Sequence, residues 1–111
     1  MSEMLFLAAP YTGSPAEIVE RMASFVKIDA QLMRDGYFTV SPLLKHFLSD
    51  VPKDWEYWSE YSKTLLKLCK AVIVIMFDGW EESVGLQSEI AIANECNIPV
   101  IYYDPITKLF K

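Results

Sequence analysis

The run Ala71 to Phe77, Ala-Val-Ile-Val-Ile-Met-Phe, is the longest uninterrupted apolar stretch in the chain and the feature that most limits its fold. It falls far short of the roughly 20 residues needed to cross a bilayer. It is also too evenly apolar for a strand with one wet face. A short run of this kind suits a parallel strand covered on both sides by helices. Met4 to Ala9, Met-Leu-Phe-Leu-Ala-Ala, is a second such run, ended by Pro10. These two runs predict neighbouring central strands.

The segments between them carry helical signals. Ser14, Pro15 and Glu17 place a capping residue, a proline at the first helical position and an acidic residue where a capping box needs it. Val19, Met22, Ala23, Val26, Ala30 and Met33 recur at three- and four-residue spacing and define the expected buried face, with Gly36 as the stop after Asp35. Tyr37 to Val40 reads as the next strand, ending at Ser41-Pro42. Leu43 to Lys53 fits a short helix or an ordered lid equally well. Asp54 caps a second helix through Trp55, Trp58, Tyr61, Leu65 and Leu68 to Lys70. Asp78-Gly79-Trp80 forms a loop, Ser83 to Asn97 a third helix and Pro99 to Tyr103 a fourth strand, with Ile106 to Phe110 left as an edge strand or a cover. This alternation predicts one α/β domain over residues 1–111, a flavodoxin- or Rossmann-like three-layer sandwich with a four- to five-stranded, mostly parallel sheet. Such sheets bind ligands outside the carboxyl ends of their strands, which directs attention to the loops after Ala9, Val40 and Phe77.

Composition narrows the function classes. With 52% hydrophobic and 23% charged residues the chain is neither disordered nor repetitive. A net charge of −5 argues against binding long nucleic acid, and the lack of a long apolar segment or signal peptide predicts a cytoplasmic protein without a membrane partner. Cys69 and Cys96 lack metal-ligand spacing and read as packing residues, so no metal is expected there.

Two loops carry candidate chemistry. In the first, Pro10, Tyr11, Thr12, Gly13 and Ser14 bring a phenol, hydroxyls and a glycine to a helix N-terminus, where free backbone N–H groups favour an anion; a plain turn with a cap is the alternative. In the second, Asp78 ends the central strand, Gly79 and Trp80 follow, Ser83 starts a helix with Gly85, and Glu89 lies about one and a half turns in. A carboxylate there is placed to attack an anomeric carbon; dipole-stabilising acids and a solvated Glu89 are the alternative.

Leu5 to Thr12 and Asp78 to Glu89, continuing through Ile90, Ala91, Ala93 and Pro99-Val100, resemble the two hallmark segments of nucleoside 2-deoxyribosyltransferase-like proteins. Gly36, Ser41-Pro42, the Trp55-Glu56-Tyr57-Trp58 stretch and the Gly79 to Gly85 run extend the likeness to an uncharacterised, often phage-encoded branch. The resemblance implies a nucleoside or nucleotide ligand and an N-glycosidic-bond transferase or hydrolase without a cofactor. It makes Glu89 the nucleophile, oriented by Tyr11; Asp78 would hold sugar hydroxyls, and Ser83 with the Gly85 backbone a 5′-hydroxyl or phosphate. Arg21 is a further candidate for charge, against the plainer reading of an exposed helical arginine. Lys70 and Ser62 stand where the superfamily and the branch, respectively, carry aspartates. Loss of an acid near the base removes the obvious donor for leaving-group protonation, whereas Lys70 suits a phosphate. The alternative function is therefore a non-catalytic protein that sequesters a nucleotide-derived signalling molecule.

His46, the only histidine, lies in the ambiguous segment, where contact with a base and a surface position are equally open. Trp55, Tyr57, Trp58 and Tyr61 cannot all enter one core from one helix, so a homodimer or higher oligomer contacting through helix two is expected.

Overall fold

A computed structural model describes residues 3–10, 13–43, 45, 50–52 and 54–111. The elements run β1 (Met4–Ala8), α1 (Pro15–Arg34), β2 (Phe38–Val40), α2 (Trp55–Leu66), β3 (Ala71–Ile75), α3 (Val84–Glu95), β4 (Val100–Asp104) and β5 (Leu109–Phe110), with a 3-10 turn at Trp80–Glu82 ahead of α3. The strands form one five-stranded sheet in the order β2-β1-β3-β4-β5. All neighbours are parallel except β4 and β5, where Tyr103 faces Phe110 in an antiparallel pair. The chain is thus an α/β sandwich of the Rossmann-like kind, and the residual C-terminal segment supplies its edge strand.

The pleat sends alternate residues of each strand to opposite layers. Leu7, Ile73, Ile75 and Tyr103 face α1, which contributes Met22, Phe25 and Leu32 to that core. Phe6, Ala8, Val72 and Val74 face the other way, toward Leu66 of α2 and Leu86, Ile90 and Ala93 of α3. Every residue of β3 is buried, as a central strand without a wet face must be.

Local chemistry sets the helix ends. The Ser14 hydroxyl accepts from the Glu17 N–H at 3.2 Å while the Glu17 carboxylate accepts from the Ser14 N–H at 3.1 Å, a complete capping box. At the other end of α1 the Tyr37 N–H donates to the Leu32 carbonyl at 3.0 Å, which requires the left-handed φ of +95° that Gly36 supplies without steric cost. Asp54 caps α2 by accepting from the Tyr57 N–H at 3.1 Å. This helix ends at Leu66 rather than Lys70, because tighter i to i+3 bonds from Leu68 and Cys69 turn the chain into β3.

The buried stripe of α1 differs from the expected one. Phe25 and Leu32 are buried with Met22, and Ile18 and Ile28 pack at the edge, whereas Val19, Ala23, Val26 and Met33 are exposed and Ala30 is half-buried. The helix is apolar over much of its circumference, so spacing permits either stripe. The larger side chains Phe25, Ile28 and Leu32 fill the volume above the sheet better.

Candidate functional site

A cavity of about 470 Å³ opens at the carboxyl ends of β1 and β2, beneath α2 and α3. That volume suits a small organic ligand. Its floor is Leu7, Ala8 and Ala9, and one wall is Ser41, Pro42 and Leu43, which follow β2. A second wall is a stripe of α2 at i, i+3, i+4 and i+7, comprising Trp55, Trp58, Ser59 and Ser62. The third is α3 with its approach, where Glu82, Ser83, Gly85, Ser88, Glu89 and Ile92 line the space. Gly85, Glu89 and Ile92 sit one position before Leu86, Ile90 and Ala93, so a single helix feeds the core with one stripe and the cavity with the next.

Glu89 dominates the electrostatics. It is half-buried by surface area because it faces the cavity, yet protein surrounds it on almost every other side. Burial pushes its carboxyl from 4.5 up to about 7, and a hydrogen bond from the Ser62 hydroxyl opposes the rise by favouring the ionised form. Ser62, buried on α2, stands where the related proteins were expected to carry an aspartate, and here it donates to the carboxylate instead.

Two aromatic rings shape the mouth. Trp58 is buried and its indole N–H donates to the Pro52 carbonyl at 2.7 Å. Trp55 keeps 55% of its surface exposed and borders the opening. A Cβ on Gly85 would stand 3.9 Å from the Trp55 ring, an ordinary van der Waals distance, so the α3 N-terminus and that indole are neighbours across the opening. The Ser83 hydroxyl caps α3 by accepting from the Leu86 N–H at 3.4 Å and borders the cavity.

The residues singled out from sequence separate into groups. Glu89, Ser83 and Gly85 line the cavity. Tyr11 and Thr12 lie outside the described residues, as does His46. Pro10 is buried beside the cavity floor, while Gly13 and Ser14 are exposed at the start of α1, with Ser14 occupied by its cap. Arg21 is not the freely exposed helical arginine of the plainer reading. Its side chain is 16% exposed, donates to the Asp78 carbonyl at 2.9 Å and approaches Glu17 at 3.9 Å, which ties the first turns of α1 to the loop after β3. Asp78 is exposed and absent from the described lining. Gly79 adopts a left-handed φ of +85° to enter the 3-10 turn, and Trp80 packs on Tyr102 with ring centroids 5.5 Å apart, so both shape the loop.

Lys70 is a correction. Its N–H donates to the Met4 carbonyl at 2.8 Å, at the amino ends of β1 and β3. Strand β3 then separates it from the cavity end by roughly 16 Å at about 3.3 Å per residue. A residue immediately before a parallel strand emerges at the pole opposite the ligand.

Ser41, Pro42, Leu43, Ser59, Glu82 and Ser88 were missed by the sequence reading. A recognisable signal existed only on α2, where serines alternate with aromatics on the face that must meet the sheet. Hydroxyls on an inward face imply an unfilled space there. Among the described residues no His, Cys, Asp or Glu cluster is arranged to hold a metal ion, and no helix is long and apolar enough to cross a membrane.

A mostly parallel sheet in this strand order, with a carboxylate-bearing cavity at its carboxyl pole, defines a Rossmann-like α/β protein. Residues 3–105 match the family described as a domain of unknown function (DUF1937), and the chain belongs to that family. No curated protein matches the sequence. Among solved structures, the 2-deoxyribosyltransferase from the psychrotolerant bacterium Bacillus psychrosaccharolyticus is similar in fold at a TM-score of 0.62 and 19% identity, covering 92% of this chain and 72% of its own. The 2-deoxyribosyltransferase from Leishmania mexicana is similar at a TM-score of 0.65 and 13% identity. The match covers 92% of this chain and 64% of the Leishmania protein.

Proposed function

We propose that the chain binds a nucleoside in this cavity and breaks or transfers its N-glycosidic bond, with Glu89 as the nucleophile. The observation that carries the reading is the Glu89 carboxyl, desolvated among apolar and aromatic walls at the carboxyl pole of the sheet and held near neutrality. The fold shared with two 2-deoxyribosyltransferases supports it.

The chemistry follows from the placement. A Glu89 carboxylate oxygen bonds to the anomeric carbon as the carbon–nitrogen bond breaks and its electron pair leaves with the base. An acceptor base or water then attacks the same carbon and frees the carboxylate. Poor solvation favours attack on a carbon acquiring positive charge, and the Ser62 hydroxyl favours the ionised form of the carboxylate that attacks. Ser83 and the first N–H groups of α3 offer partners for sugar hydroxyls, and the exposed Trp55 ring offers a stacking surface for the base.

The described lining contains the carboxylates Glu82 and Glu89 and neither Lys nor Arg, which favours a neutral nucleoside over a phosphorylated one. A second reading is a protein that holds the nucleoside intact. Ser62 favours it, because a hydroxyl beside Glu89 does not supply the acid that assists base departure and leaves the base to take its proton from solvent.

Incubation with a panel of ribo- and deoxyribonucleosides, followed by chromatography of the denatured mixture, separates these readings. Free base released by the wild type and lost in Glu89→Ala supports catalysis. Turnover unchanged by that substitution overturns the nucleophile, and stoichiometric recovery of intact nucleoside supports the holding role.

A further inference from the structure

Four of the six α1 residues expected to be buried, Val19, Ala23, Val26 and Met33, face solvent instead. Val19, Val26 and Met33 stand seven residues apart and keep 69%, 50% and 62% of their surface exposed. Ala23 and Ala30 fall between them, so large and small apolar residues alternate at the four- and three-residue steps of a helical seam. At about 100° per residue these side chains lie within roughly 80° of one another, on a face about 120° around from the stripe of Phe25 and Leu32 that meets the sheet. Such a stripe, running for about 21 Å along the 20-residue helix, exceeds the scattered apolar exposure usual for a soluble domain.

The charge pattern selects the occupant. Glu20 flanks the stripe near its N-terminal end, Lys27 at its middle and Arg34 near its C-terminal end. Placed antiparallel about a two-fold axis at Val26, two copies of this helix bring Glu20 of each against Arg34 of the other, while Val19 meets Met33 and Ala23 meets Ala30. Lys27 meets its own copy at the axis, where both side chains are exposed and free to splay into water. The outer surface of α2 is a weaker competitor. Trp58 is buried, Trp55 and Trp58 border the cavity, and Tyr57, Trp58 and Tyr61 already pack on one another in edge-on and tilted contacts with ring centroids 5.3 to 6.0 Å apart.

We infer that the chain forms an isologous homodimer through α1, with the two helices antiparallel and the two-fold axis beside Val26. The alanines let the helices approach closely, and the axis makes each contact occur twice. The helix remote from the cavity mouth thereby becomes the assembly element, and α2 stays available to the ligand.

Light scattering over 1–100 μM tests the pairing without reference to any activity. The wild type is expected to approach twice the 12.7 kDa chain mass. Val26→Lys, on an exposed site, is expected to give a monomer with an unchanged circular dichroism spectrum. In a Cys96→Ser background, Val26→Cys is expected to yield a disulfide-linked dimer on mild oxidation, which only a residue beside the axis can do. Glu20→Arg and Arg34→Glu should each weaken the dimer at least tenfold, and the double variant should recover most of that loss. A wild type that is monomeric at 100 μM, or a dimer that survives Val26→Lys, overturns the inference. A double charge variant no tighter than either single one overturns the antiparallel arrangement.

Discussion

Replacing Glu89 by Gln removes one ionisation and little else, since the side chain keeps its shape and can still accept from Ser62. Burial raises the carboxyl from 4.5 to about 7, so the folded chain holds this proton more tightly than the unfolded chain does. Stability that Glu89 leaves intact below pH 4.5 is therefore lost progressively as pH rises through 7. At ~1.4 kcal/mol for each pH unit separating the two titrations, the ionised carboxylate costs about 3 kcal/mol above pH 8. The same linkage leaves a cost of about 1 kcal/mol at pH 5. Glu89→Gln is thus expected to be more stable than the wild type, by an amount that grows between these two conditions. Urea denaturation at pH 5 and pH 8.5 measures both differences, and comparing the variants cancels titrations they share. An advantage of Gln that stays the same at the two pH values would mean that Glu89 titrates as a solvated carboxylate, and the electrostatic basis of the site would fall with it.

Two further outcomes follow from the cavity. The Ser62 hydroxyl lowers the Glu89 carboxyl against the effect of burial, so Ser62→Ala is expected to move the acidic limb of kcat/KM from near pH 7 to higher pH, with activity recovering in alkaline buffer; an unmoved limb would remove Ser62 from the site. Trp55→Ala should weaken nucleoside binding by about 1–3 kcal/mol if the ring stacks on the base, whereas Lys70→Ala, at the opposite pole, should leave calorimetric affinity unchanged.

The layer order and the pole at which the cavity opens were legible in the sequence. Continuous apolar runs at Met4 to Ala9 and Ala71 to Phe77 leave few alternatives to covered parallel strands, and Ser14, Gly36, Asp54 and Ser83 mark helix ends through local hydrogen bonding. Glu89 was legible as well, because its distance from the end of the central strand is a matter of helical rise.

Chain-local chemistry did not decide which stripe of α1 is buried. Val19–Val26–Met33 and Phe25–Leu32 have equally regular spacing, and only the volume above Leu7, Ile73 and Ile75 selects between them. Nor did it decide the fate of Lys70 and Ser62. Both were read as replacements for acids near the base, yet one stands before a strand and the other on a helix stripe, and the sheet carries those positions to opposite outcomes. Hydrogen bonds and caps act within a few residues, so sequence determines them. Burial, cavity walls and the titration of Glu89 depend on distant segments meeting, and only the tertiary structure settles which segments meet.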